Sequence, residues 1–320
     1  MNYLILLIGF ILLIKGADIF VDSASNIASK FKIPKMIVGL TIVSLGTSAP
    51  ELAVSLIASL NGSNGITIGN VLGSNIFNTL MVLGVTSIIM PIIIIKDTVY
   101  KDYIVNLGVS IILFLLTFIS YIFNKEVGLG RLSGVVLLIL AIAYTIYLII
   151  GAKNISIDEE KEEENVHFNL LKYIFKIIIG VIAIIIGGNL VVNSASDIAS
   201  NFGLSDKLIG LTIVAMGTSL PELVTSIIAS VKGENDIAIG NVLGSNIYNI
   251  LLILGVSSSI NPILFSNTLF IDILFLIFIS LLLGVFMFNN KKKVLKLNKL
   301  EGLVLVLLYV GYMSYIIFRN

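Results

Sequence analysis

Long apolar runs separated by short polar breaks dominate the chain. Ten of them reach the roughly 20 residues that a helix needs to cross a bilayer. They fall near 3–28, 35–60, 66–90, 100–122, 128–151, 170–198, 206–231, 237–260, 267–288 and 300–318. The pattern predicts an all-α integral membrane protein of ten transmembrane helices. Two runs carry letters that suit lipid badly: Gly46-Thr47-Ser48-Ala49-Pro50-Glu51 and Gly217-Thr218-Ser219-Leu220-Pro221-Glu222. An ionisable residue at membrane depth is costly and marks a functional site by default.

Composition agrees. Soluble domains carry roughly 25% charged residues, whereas here 12% are charged, 57% are hydrophobic and the mean hydropathy is +1.07. A net charge of +1 gives no reason to expect a nucleic-acid partner. The chain has no cysteine, and its single histidine, His167, lies in a charged stretch. Thiolate chemistry and histidine-based chemistry at membrane depth are thereby set aside, and no HExxH or Gly-x-Ser-x-Gly motif suggests an enzyme. No cofactor is expected. The first apolar run lacks a basic leader and a small-residue cleavage site, so it reads as a first helix.

The longest charged interruption, 153–169, includes Asp158, Glu159, Glu160, Glu162, Glu163 and Glu164. It lacks the spaced ligands and turn glycine of a calcium loop and reads as a solvated linker between halves 1–152 and 170–320. With the N-terminus outside, inner connections hold fifteen Lys residues, and the outer side holds Lys125, Arg131, Lys207 and Arg319. That bias predicts both termini outside a cell membrane and the acidic linker in the cytoplasm. Lys15 is expected either to pair with Asp18, one helical turn away, or to snorkel towards the interface.

A shift of 171 residues superposes the halves without a gap from Gly9 to Gly84, and 31 of 46 residues are identical between 39–84 and 210–255. Chance hydrophobic similarity would not keep polar letters at fixed offsets. Each unit holds five spans, an odd number, so the second enters from the opposite side. Two inverted five-helix repeats are expected, an arrangement typical of secondary transporters with a site where the repeats meet.

Pro50 removes a backbone donor, so carbonyls near residues 44 to 47 are expected to lose helical partners. Ser48, Glu51 and Ser55 share one helical face, as do Ser219, Glu222 and Ser226. The third span carries Gly69-Asn70-Val71-Leu72-Gly73-Ser74-Asn75-Ile76-Phe77-Asn78, and the eighth carries Gly240-Asn241-Val242-Leu243-Gly244-Ser245-Asn246-Ile247-Tyr248-Asn249. Asn70, Asn75, Asn241 and Asn246 read as helix contacts. Ser74, Asn78, Ser245 and Asn249 read as deeper oxygen donors. Two carboxylates with hydroxyl, amide and carbonyl oxygens suit calcium or sodium and not the softer metals. One divalent ion, or two monovalent ones, would neutralise the pair.

These paired motifs resemble the two alpha-repeats of the calcium/cation antiporter superfamily, and most closely its prokaryotic and archaeal sodium/calcium exchangers. The resemblance implies a calcium ion between Glu51 and Glu222. It also implies sodium sites built from Ser48, Ser74, Ser219, Ser245 and the carbonyls of Ser44, Thr47, Ala215 and Thr218. It further implies alternating access by sliding of the first and sixth helices, with calcium and sodium as cargo. Asn249 departs from relatives that carry aspartate there, including potassium-dependent exchangers, and leaves two carboxylates instead of three. Exchange of sodium for calcium is the expected function, by a chain working as a monomer within the lipid bilayer. Proton/calcium exchange, potassium-dependent exchange and a cation channel are the alternatives.

Overall fold

The computed structural model describes residues 2–124, 128–154, 169–203, 215–264, 267–288 and 294–319. Helices α1 (Asn2–Lys30), α2 (Lys35–Thr47), α3 (Ala49–Leu60) and α4 (Gly65–Ile89) open the chain. Strand β1 (Ile92–Ile95), helix α5 (Lys96–Asn124), strand β2 (Gly128–Leu129) and helix α6 (Arg131–Asn154) complete its first part. The second part begins with α7 (Leu170–Asn201), α8 (Ala215–Gly217), α9 (Leu220–Val231) and α10 (Asn235–Ile260). It ends with β3 (Ile263–Leu264), α11 (Asn267–Phe288), β4 (Val294–Leu297) and α12 (Lys299–Arg319).

Among the described residues eight helices are long and apolar enough to cross a membrane, and α2 with α3, bent by 50°, makes a ninth. Part of the expected seventh span, 204–214, lies outside the described residues, as do 155–168 of the acidic linker with His167. Helices α4 and α10 are buried on most sides, α10 almost completely. Helices α1, α6 and α7 instead display outward faces such as Leu4, Leu7 and Ile11, Ile139, Ile142 and Ile146, and Leu171, Phe175 and Ile178. An apolar belt of this extent is stable against lipid, and the chain is a multi-pass membrane protein.

The chain is not all helix. Strand β1 pairs antiparallel with β4, Ile92 opposite Leu297, and β2 pairs with β3, Leu129 opposite Ile263. These segments connect long helices, and their backbone groups need partners where water is scarce. Each connection finds them in a connection from the other half.

Helices α1 and α7 run antiparallel and touch through glycines. A Cβ on Gly9 would lie 3.0 Å from the Gly187 carbonyl oxygen, and one on Gly16 would lie 3.0 Å from that of Gly180. Small residues let backbones meet at this distance. At one end of α1, Lys232 Nζ contacts both Asp18 and Asp22 at 2.6 Å. Against the cost of burial, these two carboxylates raise the Lys232 ammonium above its ordinary pKa. Lys35 pairs with Glu234 at 2.9 Å, and Ser25 Oγ donates to the same carboxylate at 2.8 Å. Of the two expectations for Lys15, the pair with Asp18 gives way to Lys232, which the tertiary fold presents to that carboxylate.

Candidate ion-binding site

The site forms where two helices stop and restart. Helix α2 ends at Thr47, Ser48 takes φ −82° and ψ 8°, and α3 begins at Ala49 with Pro50 in its first turn. In the other half Ser219 takes φ −93° and ψ 6° before α9, which has Pro221 in its first turn. Proline is tolerated there because a first-turn N–H has no intrahelical acceptor. Glu51 and Glu222 thus occupy helix N-termini, where the backbone dipoles favour negative charge. Both side chains are fully buried. Helices α3 and α9 end alike, on Gly62 at φ 71° and Gly233 at φ 79°, a left-handed turn suited to glycine.

Across the centre the halves exchange hydrogen bonds. Ser48 Oγ donates to Glu222 Oε1 at 2.8 Å, and Ser219 Oγ donates to Glu51 Oε1 at 3.0 Å. Ser48 also reaches Ser245 Oγ at 2.9 Å, Ser245 reaches Glu222 Oε1 at 3.3 Å, and Ser74 reaches Glu51 Oε1 at 3.5 Å. Four of the expected hydroxyls therefore converge on the two carboxylates. Each glutamate uses Oε1 for these bonds and leaves Oε2 buried without a partner among the described residues. The carboxylates lie close enough to repel one another. No basic residue joins them in an ion pair among the described residues.

Other expected donors are committed elsewhere. Thr47 Oγ1 donates to Asn241 Oδ1 at 3.0 Å, and Thr218 Oγ1 donates to Asn70 Oδ1 at 3.4 Å. Asn70 Nδ2 in turn bonds the Glu51 carbonyl at 3.2 Å and Ser55 Oγ at 2.9 Å, and Asn241 does the same for Glu222 at 3.3 Å and Ser226 at 2.9 Å. These asparagines brace the two helix breaks, so Ser55 and Ser226 serve the scaffold although they share a helical face with the glutamates. Ser44 Oγ turns back to the Leu40 carbonyl at 2.8 Å. The Ser44 carbonyl keeps its helical partner, Ser48 N–H at 2.9 Å, contrary to the expectation from Pro50. The proline itself starts the next helix, and Ser48 still closes the last turn of α2. In the other half Ser219 N–H bonds the Met216 carbonyl at 3.2 Å, which leaves the Ala215 carbonyl out of that turn.

Asn78 and Asn249 each open a π-helical stretch, Asn78–Val82 and Asn249–Leu254, inside α4 and α10. Such widened turns are frequent at functional sites. Both side chains are fully buried. Asn78 has neither amide atom bonded among the described residues, and Asn249 leaves Oδ1 unbonded. Four buried oxygens of the expected set therefore have no bonding partner among the described residues: Glu51 Oε2, Glu222 Oε2, Asn78 Oδ1 and Asn249 Oδ1. An unsatisfied buried acceptor costs roughly 1–3 kcal/mol, more when charged, and a hard cation would relieve all four. Two further anchors escaped the sequence reading. Tyr248 Oη lies 3.0 Å from Thr145 Oγ1, and Tyr144 Oη donates to the buried Asp102 at 3.1 Å. The only trace of the first was Tyr248 standing where the other half has Phe77.

Similarity to known proteins extends over nearly the whole chain. The chain is 34% identical over 98% of its length to Sodium/calcium exchanger MaX1 of Methanosarcina acetivorans, covering 97% of that protein. It is 36% identical over 81% of its length to inner membrane protein YrbG of Escherichia coli, covering 79% of that protein. Its fold superposes on the solved sodium-calcium exchanger NCX_Mj with a TM-score of 0.83, at 33% identity and 98% coverage of both chains. Residues 1–150 and 172–318 match the family described as Sodium/calcium exchanger protein. The chain belongs to the sodium/calcium exchanger family.

Proposed function

We propose that this protein exchanges sodium for calcium across the cell membrane by alternating access, binding both ions in turn between Glu51 and Glu222. One observation carries the site assignment: four buried oxygens from the two glutamates and from Asn78 and Asn249 have no bonding partner among the described residues. Ser48, Ser219, Ser74 and Ser245 surround the carboxylates and supply the hydroxyl oxygens of the sodium-loaded state. Thr47, Thr218, Ser44 and Ala215 contribute through their carbonyls.

Charge enforces coupling. With both carboxylates ionised, the empty site is doubly negative, and moving it through hydrocarbon is expensive. One calcium or two sodium ions remove that charge, so only the loaded carrier turns over readily.

In this reading the chain forms ten spans in two inverted repeats, 1–152 and 170–320, joined by a cytoplasmic linker at 153–169, with both termini outside. The exchanged bonds support a two-fold relation between the repeats, because the partner of each is found by shifting both residues by 171 in opposite senses: Ser48–Glu222 with Glu51–Ser219, and Thr47–Asn241 with Asn70–Thr218. The antiparallel packing of α1 on its counterpart α7 supports the inversion. The glycine contact between α1 and α7 supports sliding of these helices against the core. Both glutamates of the site come from one chain, which supports function as a monomer. Calcium uptake into vesicles driven by an outward sodium gradient tests the function. Uptake that follows a pH gradient and ignores sodium would assign proton coupling instead. Uptake that needs potassium alongside sodium would assign the potassium-dependent reaction.

A further inference from the structure

Asn75 and Asn249 form an oriented chain of amides between α4 and α10. Asn75 Nδ2 donates to the backbone carbonyl of Asn246 at 3.0 Å. A carbonyl can only accept, so this bond fixes which way the Asn75 amide faces. Asn75 Oδ1 must then accept, and it takes Asn249 Nδ2 at 3.0 Å. With its nitrogen committed, Asn249 can present only Oδ1, which is buried and unbonded. An unrestrained asparagine turns readily about its last torsion and offers either end. To a cation the ends are opposites: the oxygen attracts and the NH2 group repels.

We propose that Asn75 is a positioning residue for cation binding, one that holds the Asn249 amide with its oxygen available to the ion. The proposal rests on the ion site assigned above. It is specific to an asparagine at 249, because an aspartate there has two equivalent oxygens and nothing to orient. It is also one-sided. Asn246, the counterpart of Asn75, gives its Nδ2 to Thr79 Oγ1 at 3.0 Å. The counterpart of Thr79 is Ile250, which has no such oxygen, and Asn78 receives no orienting bond among the described residues.

Equilibrium binding of radiolabelled calcium to the purified full-length protein tests this, with Asn75→Ala placed in the native and the Asn249→Asp backgrounds. In the native background the loss should be about tenfold or more, the worth of one acceptor to a charged partner. In the Asn249→Asp background the same substitution should change affinity by no more than about twofold, as expected of uncoupled sites. An equal loss in both backgrounds would make Asn75 a mere packing contact and overturn the proposal, as would no loss in the native background. If the alanine variant does not fold, Asn75→Ser takes its place with the same expected pattern. Wild-type protein that binds no calcium would overturn the site assignment and this inference with it, before any variant is made.

Discussion

Ser48 donates to Glu222 at 2.8 Å and Ser219 to Glu51 at 3.0 Å, whereas Asn249 is anchored by Asn75 and Asn78 has no bonded partner among the described residues. The first pair and the second stand at equivalent places in the two halves, yet only the first is treated evenly. The hydroxyl-to-carboxylate bonds depend on residues identical in both halves. The amide bonds run through Asn75 and Asn246, whose own anchoring differs, since Asn246 bonds Thr79 and the counterpart of Thr79 is Ile250. Duplication has kept the charges matched and let their supports diverge. A site whose charge is shared equally and whose neutral ligands are not can hold one ion centrally and still distinguish its two sides.

The largest expected effect tests the matched part. Glu51→Gln and Glu222→Gln should each reduce calcium exchange by about a hundredfold or more, as removal of one buried charge from a bound pair does, and by similar factors. Vesicle uptake reads both, and near-normal transport in either would show the pair to be misassigned. Asn249→Asp attacks the unmatched part. A third carboxylate should tighten calcium binding by about tenfold, a gain of roughly 1.4 kcal/mol, and shift the ion preference away from sodium. Unchanged affinity would place Asn249 outside the site.

Smaller effects sharpen the contrast. Gly187→Val would force side-chain atoms onto Leu13 and the Gly9 carbonyl, where even a Cβ would lie 2.7–2.8 Å from the α1 backbone. Overpacking of this kind costs about 1–3 kcal/mol. It should slow exchange roughly tenfold while calcium affinity measured at equilibrium stays near wild type. Ser48→Ala and Ser219→Ala should each weaken ion binding by about fivefold, the worth of one modest hydrogen bond, with Ser48 the costlier because it also bonds Ser245. Lys232→Met, which breaks a partly exposed ion-pair cluster, should alter exchange rates by about threefold at most, read from the ratio of forward to reverse flux.

The convergence of four serines on the two glutamates could be read from the sequence because these letters are conspicuous against an apolar background. Pro50 and Pro221 announced the helix breaks, and the 171-residue offset identified which serine matches which. The offset names equivalents, however, and does not name contacts. Nothing in Ser48 itself says that its partner is Glu222, 174 positions away, and not Glu51, three away. Local spacing misled in the same way at Lys15, where an i,i+3 pairing lost to Lys232, 214 positions beyond Asp18. It misled again at Ser55 and Ser226, which point along the right face and are taken by asparagines. The strands at Ile92–Ile95 and Val294–Leu297 were invisible for another reason. Each is too short to pattern alone and gains its hydrogen bonds only from the other.

The ion-pair cluster at one end of α1 has a consequence for direction. Lys232 with Asp18 and Asp22, and Lys35 with Glu234, clasp α1 and α2 to the junction of α9 and α10. Their counterparts for four of these five positions are Asn61, Asn189, Asn193 and Ser63, all uncharged. Under the proposed orientation the clasp sits at the cytoplasmic mouth. Exchanging inside for outside therefore does not return the same machine. Opening inward must unfasten charges that opening outward leaves untouched, so the two half-cycles should run at unequal speeds under equal gradients. The protein would then behave as a partial rectifier, its bias set by salt and by a few charges well removed from the ions it carries.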